Sequence, residues 1–193
     1  MIGGASALIA GKALAQGFAA GAPVVLGQVQ LSFYAVTGAV VHEVLERLGH
    51  TVEVRQAPHE QMFPWLAEGQ IDLMAAAWLP EGHGAYWARY GADAVEVTKL
   101  YDGARFFWAT PAYVPESDVA TIADLAKPAV TERMAKRIQG IGPGATISVV
   151  SQKAVTDYGL GTLGYEFRTG SPADWTGALD AALAEKRWIV FPT

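Results

Sequence analysis

Strand-like and helix-like patterns alternate along the first half of the chain, and this alternation most limits how the chain can fold. Two β-rich runs, VVLGQVQL and TVEVRQ, flank AVTGAVVHEVLERLGH, whose apolar residues recur at helical spacing before a C-terminal Gly49. A short helical segment, PHEQMFPWLAEGQ, then precedes the continuous apolar run IDLMAAAW. The order β-α-β-α-β predicts an α/β fold with a mostly parallel sheet flanked by helices.

A second set of elements runs from Tyr101 to the end of the chain. Strands are predicted in ARFFWAT, RIQGIG, GYEFRTG and WIVFPT, with helices in the segments between them. The helix in SPADWTGALDAALAEKR has Ser171 as its N-cap and Pro172 at its first position. We therefore predict two α/β lobes, residues 23–100 and residues 101–193, joined near residues 99–105.

The first 22 residues differ from the rest, because they are small and apolar and carry no turn chemistry. Residues 13–15, Ala-Leu-Ala, fit a small-x-small cleavage site, and residues 2–10 fit a short signal-peptide core. We predict that residues 1–22 are a signal-like segment or a disordered tail, and that the protein is exported to the periplasm or another extracytoplasmic space. No later stretch approaches the roughly 18 apolar residues of a membrane helix.

Composition argues against several functional classes. A formal net charge of −5 argues against nucleic acid as a partner, because such a role needs a basic face. The absence of cysteine excludes disulfides and thiolate chemistry. The four histidines form no H-x-x-x-H pair, so no metal site is predicted, and His42 and His59 are expected on helix surfaces.

Enzymatic motifs are also missing. The run GIGPGA at residues 140–145 lacks the G-x-G-x-x-G spacing of a dinucleotide site, and Pro143 stands where the backbone would approach a pyrophosphate. A small anion or carboxylate could still bind N–H groups at such a strand–loop–helix junction. Neither a G-x-S-x-G elbow nor a P-loop is present. We predict neither a cofactor nor an enzymatic activity.

Two of the six tryptophans stand apart from those that fit simple core packing. Trp78 ends a parallel-type strand, where open α/β sheets place their ligand crevice. A turn at Pro80 and Gly82 follows it and returns His83 toward the same rim. Trp108 lies in an aromatic strand with Phe107 on the opposite face. For both tryptophans, core packing is the competing interpretation.

The stretch DLMAAAWLPEGH resembles the glycine betaine/choline-type substrate-binding proteins of ABC transporters, which carry a similar Asp-x-x-x-x-x-Trp-x-Pro-x-x-His pattern. The likeness continues in VLERLGHTVEVRQ, in GARFFWATPAYVPESDVATIADLA and in the GIGPGATISVVSQKAVTDYGL region, and it covers roughly residues 24–193. The resemblance implies a two-lobe periplasmic-binding fold without enzymatic activity. It also implies a quaternary-ammonium ligand and an ABC permease as partner.

The resemblance also implies site residues. Trp78 matches an aromatic-cage tryptophan, and His83 holds the position of a histidine that could donate to a ligand carboxylate. In LSFYAV either Phe33 or Tyr34 replaces a tryptophan of the relatives. On the second lobe, the resemblance implies the following positions: Phe107 or Trp108 as a pocket aromatic, and Gly144, Ala145 and Thr146 as a ligand-contacting loop.

Relatives continue past WIVFPT and return to the first lobe, so the resemblance implies that this chain lacks part of lobe one. Glycine betaine, proline betaine and choline all stay open as ligands. Another small cation or an amino acid on the same scaffold is the first alternative function. An enzyme on a doubly wound fold is the second alternative, although no nucleophile–base pair supports it.

Overall fold

A computed structural model of the chain describes residues 3–11, 17–18 and 21–193. The chain divides into two compact units, Met1–Arg105 (unit one) and Phe106–Thr193 (unit two). This division lies a few residues beyond the predicted boundary at residue 100, because the last strand of unit one continues to Ala104.

Unit one combines a five-stranded sheet with helices. Its described strands are β1 (Gly3–Ala10), β2 (Val24–Val29), β3 (Val52–Ala57), β4 (Leu73–Leu79) and β5 (Ala94–Ala104). Its described α-helices of at least one full turn are α1 (Ser32–Arg47), α2 (His59–Glu68) and α3 (Gly84–Tyr90), followed by a 3-10 turn at Gly91–Asp93.

The strand order in this sheet is β3-β2-β4-β1-β5. Strand β2 pairs in parallel with both β3 and β4, whereas β1 pairs antiparallel with both β4 and β5. The predicted β-α-β-α-β run is therefore confirmed as the parallel part of an α/β fold. The parallel strands end at one common edge of the sheet, and Trp78 lies at this edge, near the end of β4.

The N-terminal segment corrects one expectation. Gly3–Ala10 is not a disordered tail, because it forms β1 in the interior of the sheet between β4 and β5. Ala5 and Leu8 are fully buried there, and small apolar side chains suit a strand that is covered by neighbours. The predicted cleavage site at residues 13–15 lies outside the described residues.

Unit two contains shorter strands. The described strands are β6 (Trp108–Ala109), β7 (Arg137–Gln139), β8 (Glu166–Arg168) and β9 (Phe191–Pro192). Its helices are α4 (Pro128–Arg133), α5 (Thr146–Asp157) and α6 (Pro172–Ala184), with 3-10 turns at Ile122–Ala126 and Leu160–Leu163. Strand β6 pairs antiparallel with β9, and β7 pairs in parallel with β8.

Sequence patterns located these elements, but the four strands predicted in unit two are longer than the observed ones. ARFFWAT keeps only Trp108–Ala109 as a strand of unit two, and WIVFPT keeps only Phe191–Pro192. The start of α6 agrees with prediction, since Asp174 N–H donates to Ser171 Oγ at 3.1 Å and Ser171 N–H donates to the Asp174 carboxylate at 2.7 Å. In the part of the chain that the structure describes, no helix is both long and apolar enough to span a membrane.

We predict that Leu8→Ala lowers the free energy of unfolding of unit one by about 2 to 5 kcal/mol, because a buried leucine leaves a cavity. Leu8 is 0% exposed, whereas Leu48 is 69% exposed and offers a matched control. Leu48→Ala should change the free energy of unfolding by less than about 0.5 kcal/mol. Chemical denaturation measures both, and equal effects of the two changes would show that Gly3–Ala10 is not part of the core.

Candidate functional site

Trp78 lies near the carboxyl end of β4 and is partly buried against the core of unit one. In parallel α/β sheets this edge is where ligands bind, because loops there splay apart and leave a crevice. The core beside it contains Met62, Phe63 and Met74, all essentially inaccessible to solvent. One part of the indole is therefore supported by packing against this core.

The turn after Trp78 closes on itself through His83. The backbone N–H of Trp78 donates to His83 Nδ1 at 2.9 Å, and the backbone N–H of His83 donates to the Trp78 carbonyl at 2.7 Å. Nδ1 accepts a hydrogen bond and therefore carries no proton, so the neutral ring holds its proton on Nε2. Because the His83 side chain is only 3% exposed, its first role is to fix the backbone of Trp78.

A second hydrogen bond fixes the ring of Trp78. The indole Nε1–H donates to the phenol oxygen of Tyr101 at 2.8 Å. Tyr101 lies on β5, which the antiparallel strand β1 separates from β4. Sequence reasoning missed Tyr101, because no periodic pattern indicates that two strands separated by a third share a hydrogen bond.

Phe33 supplies the aromatic ring beside Trp78. It lies in the first turn of α1, and its ring centroid is 5.4 Å from that of Trp78 at an interplanar angle of 53°. Phe33 is 40% exposed, whereas the neighbouring Tyr34 is buried. Of the two alternatives that the sequence left open, Phe33 is thus the ring that a ligand could reach. We call Phe33 and Trp78 the aromatic pair.

Beneath the aromatic pair lies a buried layer of His59, His83 and Tyr34. The two imidazole centroids are 5.3 Å apart, and Tyr34 Oη lies 3.4 Å from His59 Nε2. The predicted surface position of His59 is wrong, because the residue is buried where α2 packs on the sheet. Helical spacing in a short segment with a proline could not distinguish the buried face from the exposed one.

Burial controls the charge of this layer. Desolvation lowers the pKa of His59 to about 4. Desolvation, together with repulsion from His59, lowers the pKa of His83 to about 3. Burial raises the pKa of Tyr34 above its ordinary range. All three groups are consequently neutral at pH 7, which His83 Nδ1 requires in order to accept the Trp78 N–H.

Unit two places its predicted aromatic residues on different sides of β6. The Trp108 indole packs against the core of unit two and donates its Nε1–H to the buried Ser151 Oγ at 2.8 Å. Phe107 is 56% exposed, and its backbone pairs with Thr193. Trp108 therefore has a packing role, and Phe107 is the one of the two predicted aromatic residues that is exposed to solvent.

The loop predicted to contact a ligand leads into α5. Gly144 and Ala145 precede the helix, Ala145 is buried as its N-cap, and Thr146 is its first residue. Ser148 Oγ donates to the Ile141 carbonyl at 3.1 Å and ties the first turn of the helix to the loop that follows β7. The positive end of the helix dipole lies at this loop.

The chemistry available in unit one is therefore that of aromatic faces. No group of three or more metal-ligating side chains exists among the described residues. The two histidines nearest the aromatic pair are buried and neutral, so they do not repel a cation. A cation without N–H groups can be held by ring faces, each contributing about 0.5 to 2 kcal/mol.

Comparison of the sequence with models of known protein families identifies the family of this chain. Residues 22–193 match the family described as the substrate-binding domain of the ABC-type glycine betaine transport system. The match covers both units except for most of the residues before β2.

Solved structures give the same fold. The glycine betaine/L-proline-binding protein of Borrelia burgdorferi is 25% identical with a TM-score of 0.76, and the match covers 89% of this chain and 63% of that one. Lactococcal OpuAC, closed around glycine betaine, is 26% identical with a TM-score of 0.75 and coverages of 89% and 64%. A choline-binding protein in complex with choline, at 24% identity, a TM-score of 0.73 and coverages of 89% and 59%, shows the fold alone. This chain thus spans less than two thirds of each neighbour.

We predict that the buried histidines make unit one lose stability in acid. An unfolded histidine has a pKa of about 6.5, whereas the folded values are about 4 for His59 and about 3 for His83. Because the folded pKa values are lower, this stability is intact above about pH 6.5 and is lost as the pH falls toward 4 and then 3. Each histidine should contribute a slope of about 1.4 kcal/mol per pH unit in that window.

Chemical denaturation between pH 7 and pH 5 checks this. His59→Gln should flatten the dependence of the unfolding free energy on pH. His42→Gln, a change on the surface of α1, is the control for replacing a histidine of unit one by glutamine. If His59→Gln kept the slope of the unchanged protein, the histidine would not be buried in a neutral form.

Proposed function

The chain belongs to the family of substrate-binding domains of ABC-type glycine betaine transport systems, and we propose that it binds glycine betaine or a related quaternary-ammonium solute. Binding rather than catalysis is the function that fits this family. We propose that the bound solute is delivered to an ABC permease, and that the protein works outside the cytoplasm. A neighbour bound to glycine betaine, at 26% identity, supports the ligand class.

The observation that carries the proposal is the aromatic pair. Trp78 and Phe33 lie within 5.4 Å of each other at the carboxyl edge of the parallel strands, and Phe33 is accessible from solvent. A trimethylammonium group cannot donate a hydrogen bond from nitrogen, so shape and cation–π attraction must recognise it. Tryptophan has the strongest face for this purpose, and here both its backbone and its ring are fixed before any ligand arrives.

His83 acts in this proposal as a residue that positions Trp78. Its burial and its bond to the Trp78 N–H favour this role over the direct contact with a ligand carboxylate that the sequence suggested. Phe107 of unit two, and the loop of Gly144, Ala145 and Thr146, stay predicted ligand contacts. The N-terminus of α5 supports the loop as the carboxylate-binding element, because helix N-termini favour anions.

We predict that Trp78→Leu weakens glycine betaine binding about three- to thirtyfold, because leucine keeps apolar bulk but removes a cation–π face. Isothermal titration calorimetry measures the affinity. Trp175→Leu in α6, remote from the aromatic pair in sequence and in a different unit, is the matched control and should bind normally. An unchanged affinity of Trp78→Leu would remove Trp78 from the binding site. A parallel titration with L-proline distinguishes the alternative function, because an amino-acid-binding protein would bind L-proline in preference to glycine betaine.

We predict that His83→Ala weakens glycine betaine and choline by similar factors, since it frees the backbone of Trp78 and both ligands share the ammonium group. Choline has no carboxylate, so a histidine that contacts the carboxylate would affect glycine betaine alone. The ratio of the two affinities therefore distinguishes the roles. A loss confined to glycine betaine would contradict positioning and restore the direct contact.

A further inference from the structure

Ala5 of β1 lies opposite both ends of the hydrogen bond that holds the Trp78 ring. In the register of the sheet, Ala5 pairs with Trp78 of β4 on one side and with Tyr101 of β5 on the other. Directly opposed residues of antiparallel strands project to the same face of a sheet. The side chains of Trp78, Ala5 and Tyr101 therefore form one row, with the methyl group of Ala5 in the middle.

The indole and the phenol meet across this intervening strand. Neighbouring strands are about 4.8 Å apart, so β4 and β5 are separated by roughly twice that distance. Nevertheless, Trp78 Nε1 and Tyr101 Oη are 2.8 Å apart. Two long aromatic side chains can lean toward each other only where the residue between them is small. A fully buried alanine meets that condition, and a branched side chain would occupy the space of the hydrogen bond.

Tyr101 also connects Trp78 to its partner ring. Its phenol shares a side-chain hydrogen bond with Thr37 of α1, and Thr37 Oγ1 donates to the Phe33 carbonyl at 3.2 Å. Tyr101 therefore has hydrogen-bond partners on both β4 and α1, the two elements that carry Trp78 and Phe33.

We propose that Tyr101 is a positioning residue that sets the orientation of the Trp78 ring relative to Phe33, and that Ala5 is the gap that permits it. This inference rests on the proposed function for its consequence in binding, but the arrangement itself exists without ligand. It assigns a role in the site to β1, the segment that sequence patterns place outside the folded domain.

The ligand-free test is the Trp78 indole N–H resonance in a nitrogen-15 NMR spectrum, assigned by its loss in Trp78→Leu. Tyr101→Phe keeps the ring and removes the acceptor, so the resonance should move upfield and its exchange with solvent should accelerate about tenfold or more. Ala5→Val keeps the phenol and fills the gap, and it should produce the same change. Tyr90→Phe in α3 is the control for losing a phenol within unit one and should leave the resonance in place.

An unmoved indole resonance in Tyr101→Phe would overturn the proposal. If Ala5→Val fails to fold, Thr37→Val, which is close to threonine in shape, replaces it. The resonance should then shift by less than in Tyr101→Phe, because only the hydrogen bond between Tyr101 and α1 is lost. An unmoved resonance in Thr37→Val would contradict a role of α1 in holding Tyr101.

Calorimetry with glycine betaine supplies the binding consequence. Tyr101→Phe should weaken the affinity about three- to tenfold, the range expected for the loss of one hydrogen bond that holds a ring in place. Tyr90→Phe should bind as the unchanged protein does. Normal affinity in Tyr101→Phe with a shifted indole resonance would show that the hydrogen bond holds the Trp78 ring without serving the ligand, which overturns the role of Tyr101 in binding. If the protein without any substitution failed to bind glycine betaine, the proposed function would be rejected. The Trp78 indole resonance would still decide whether Tyr101 holds the ring.

Discussion

The hydrogen bond from the Trp78 indole to Tyr101 is the constraint on which the candidate site depends. It requires β5 to approach β4, a small residue on the strand between them, and a backbone at Trp78 that does not move. The sheet register provides the first two, and His83 provides the third through its Nδ1. Without these bonds the Trp78 ring would be held less firmly, and a ring that must be ordered on binding loses part of its cation–π energy.

The buried layer of His59, His83 and Tyr34 supports the aromatic pair, but its histidines lower the stability of unit one in acid. Two imidazoles 5.3 Å apart repel each other when both are charged, and burial disfavours a charge on either of them. Their neutrality lets His83 accept the Trp78 N–H, and it also keeps positive charge away from a site proposed to bind a cation. Packing, hydrogen bonding and electrostatics thus point to the same class of ligand.

Much of the parallel part of the fold could be predicted from the sequence. Helical spacing located α1 and α6, and the continuous apolar run placed Trp78 at the end of β4. The motif around Trp78 and His83 pointed to the family that the comparison then showed. These signals are local, because each one depends on residues that are neighbours in sequence or lie on a single element.

The features that escaped prediction are non-local. The run of small residues in Gly3–Ala10 resembles a signal-peptide core as closely as a buried strand, and only its pairing with β4 and β5 distinguishes the two. Tyr101 gains its role from that pairing, and His59 gains its burial from the packing of α2.

The central claim is that a fixed tryptophan face recognises positive charge, and a neutral analogue tests it most directly. Calorimetry should compare glycine betaine with 3,3-dimethylbutanoate, in which carbon replaces the quaternary nitrogen at nearly the same shape. The account predicts that glycine betaine binds at least about tenfold more tightly, since one or two cation–π faces contribute that much; equal affinities would contradict it.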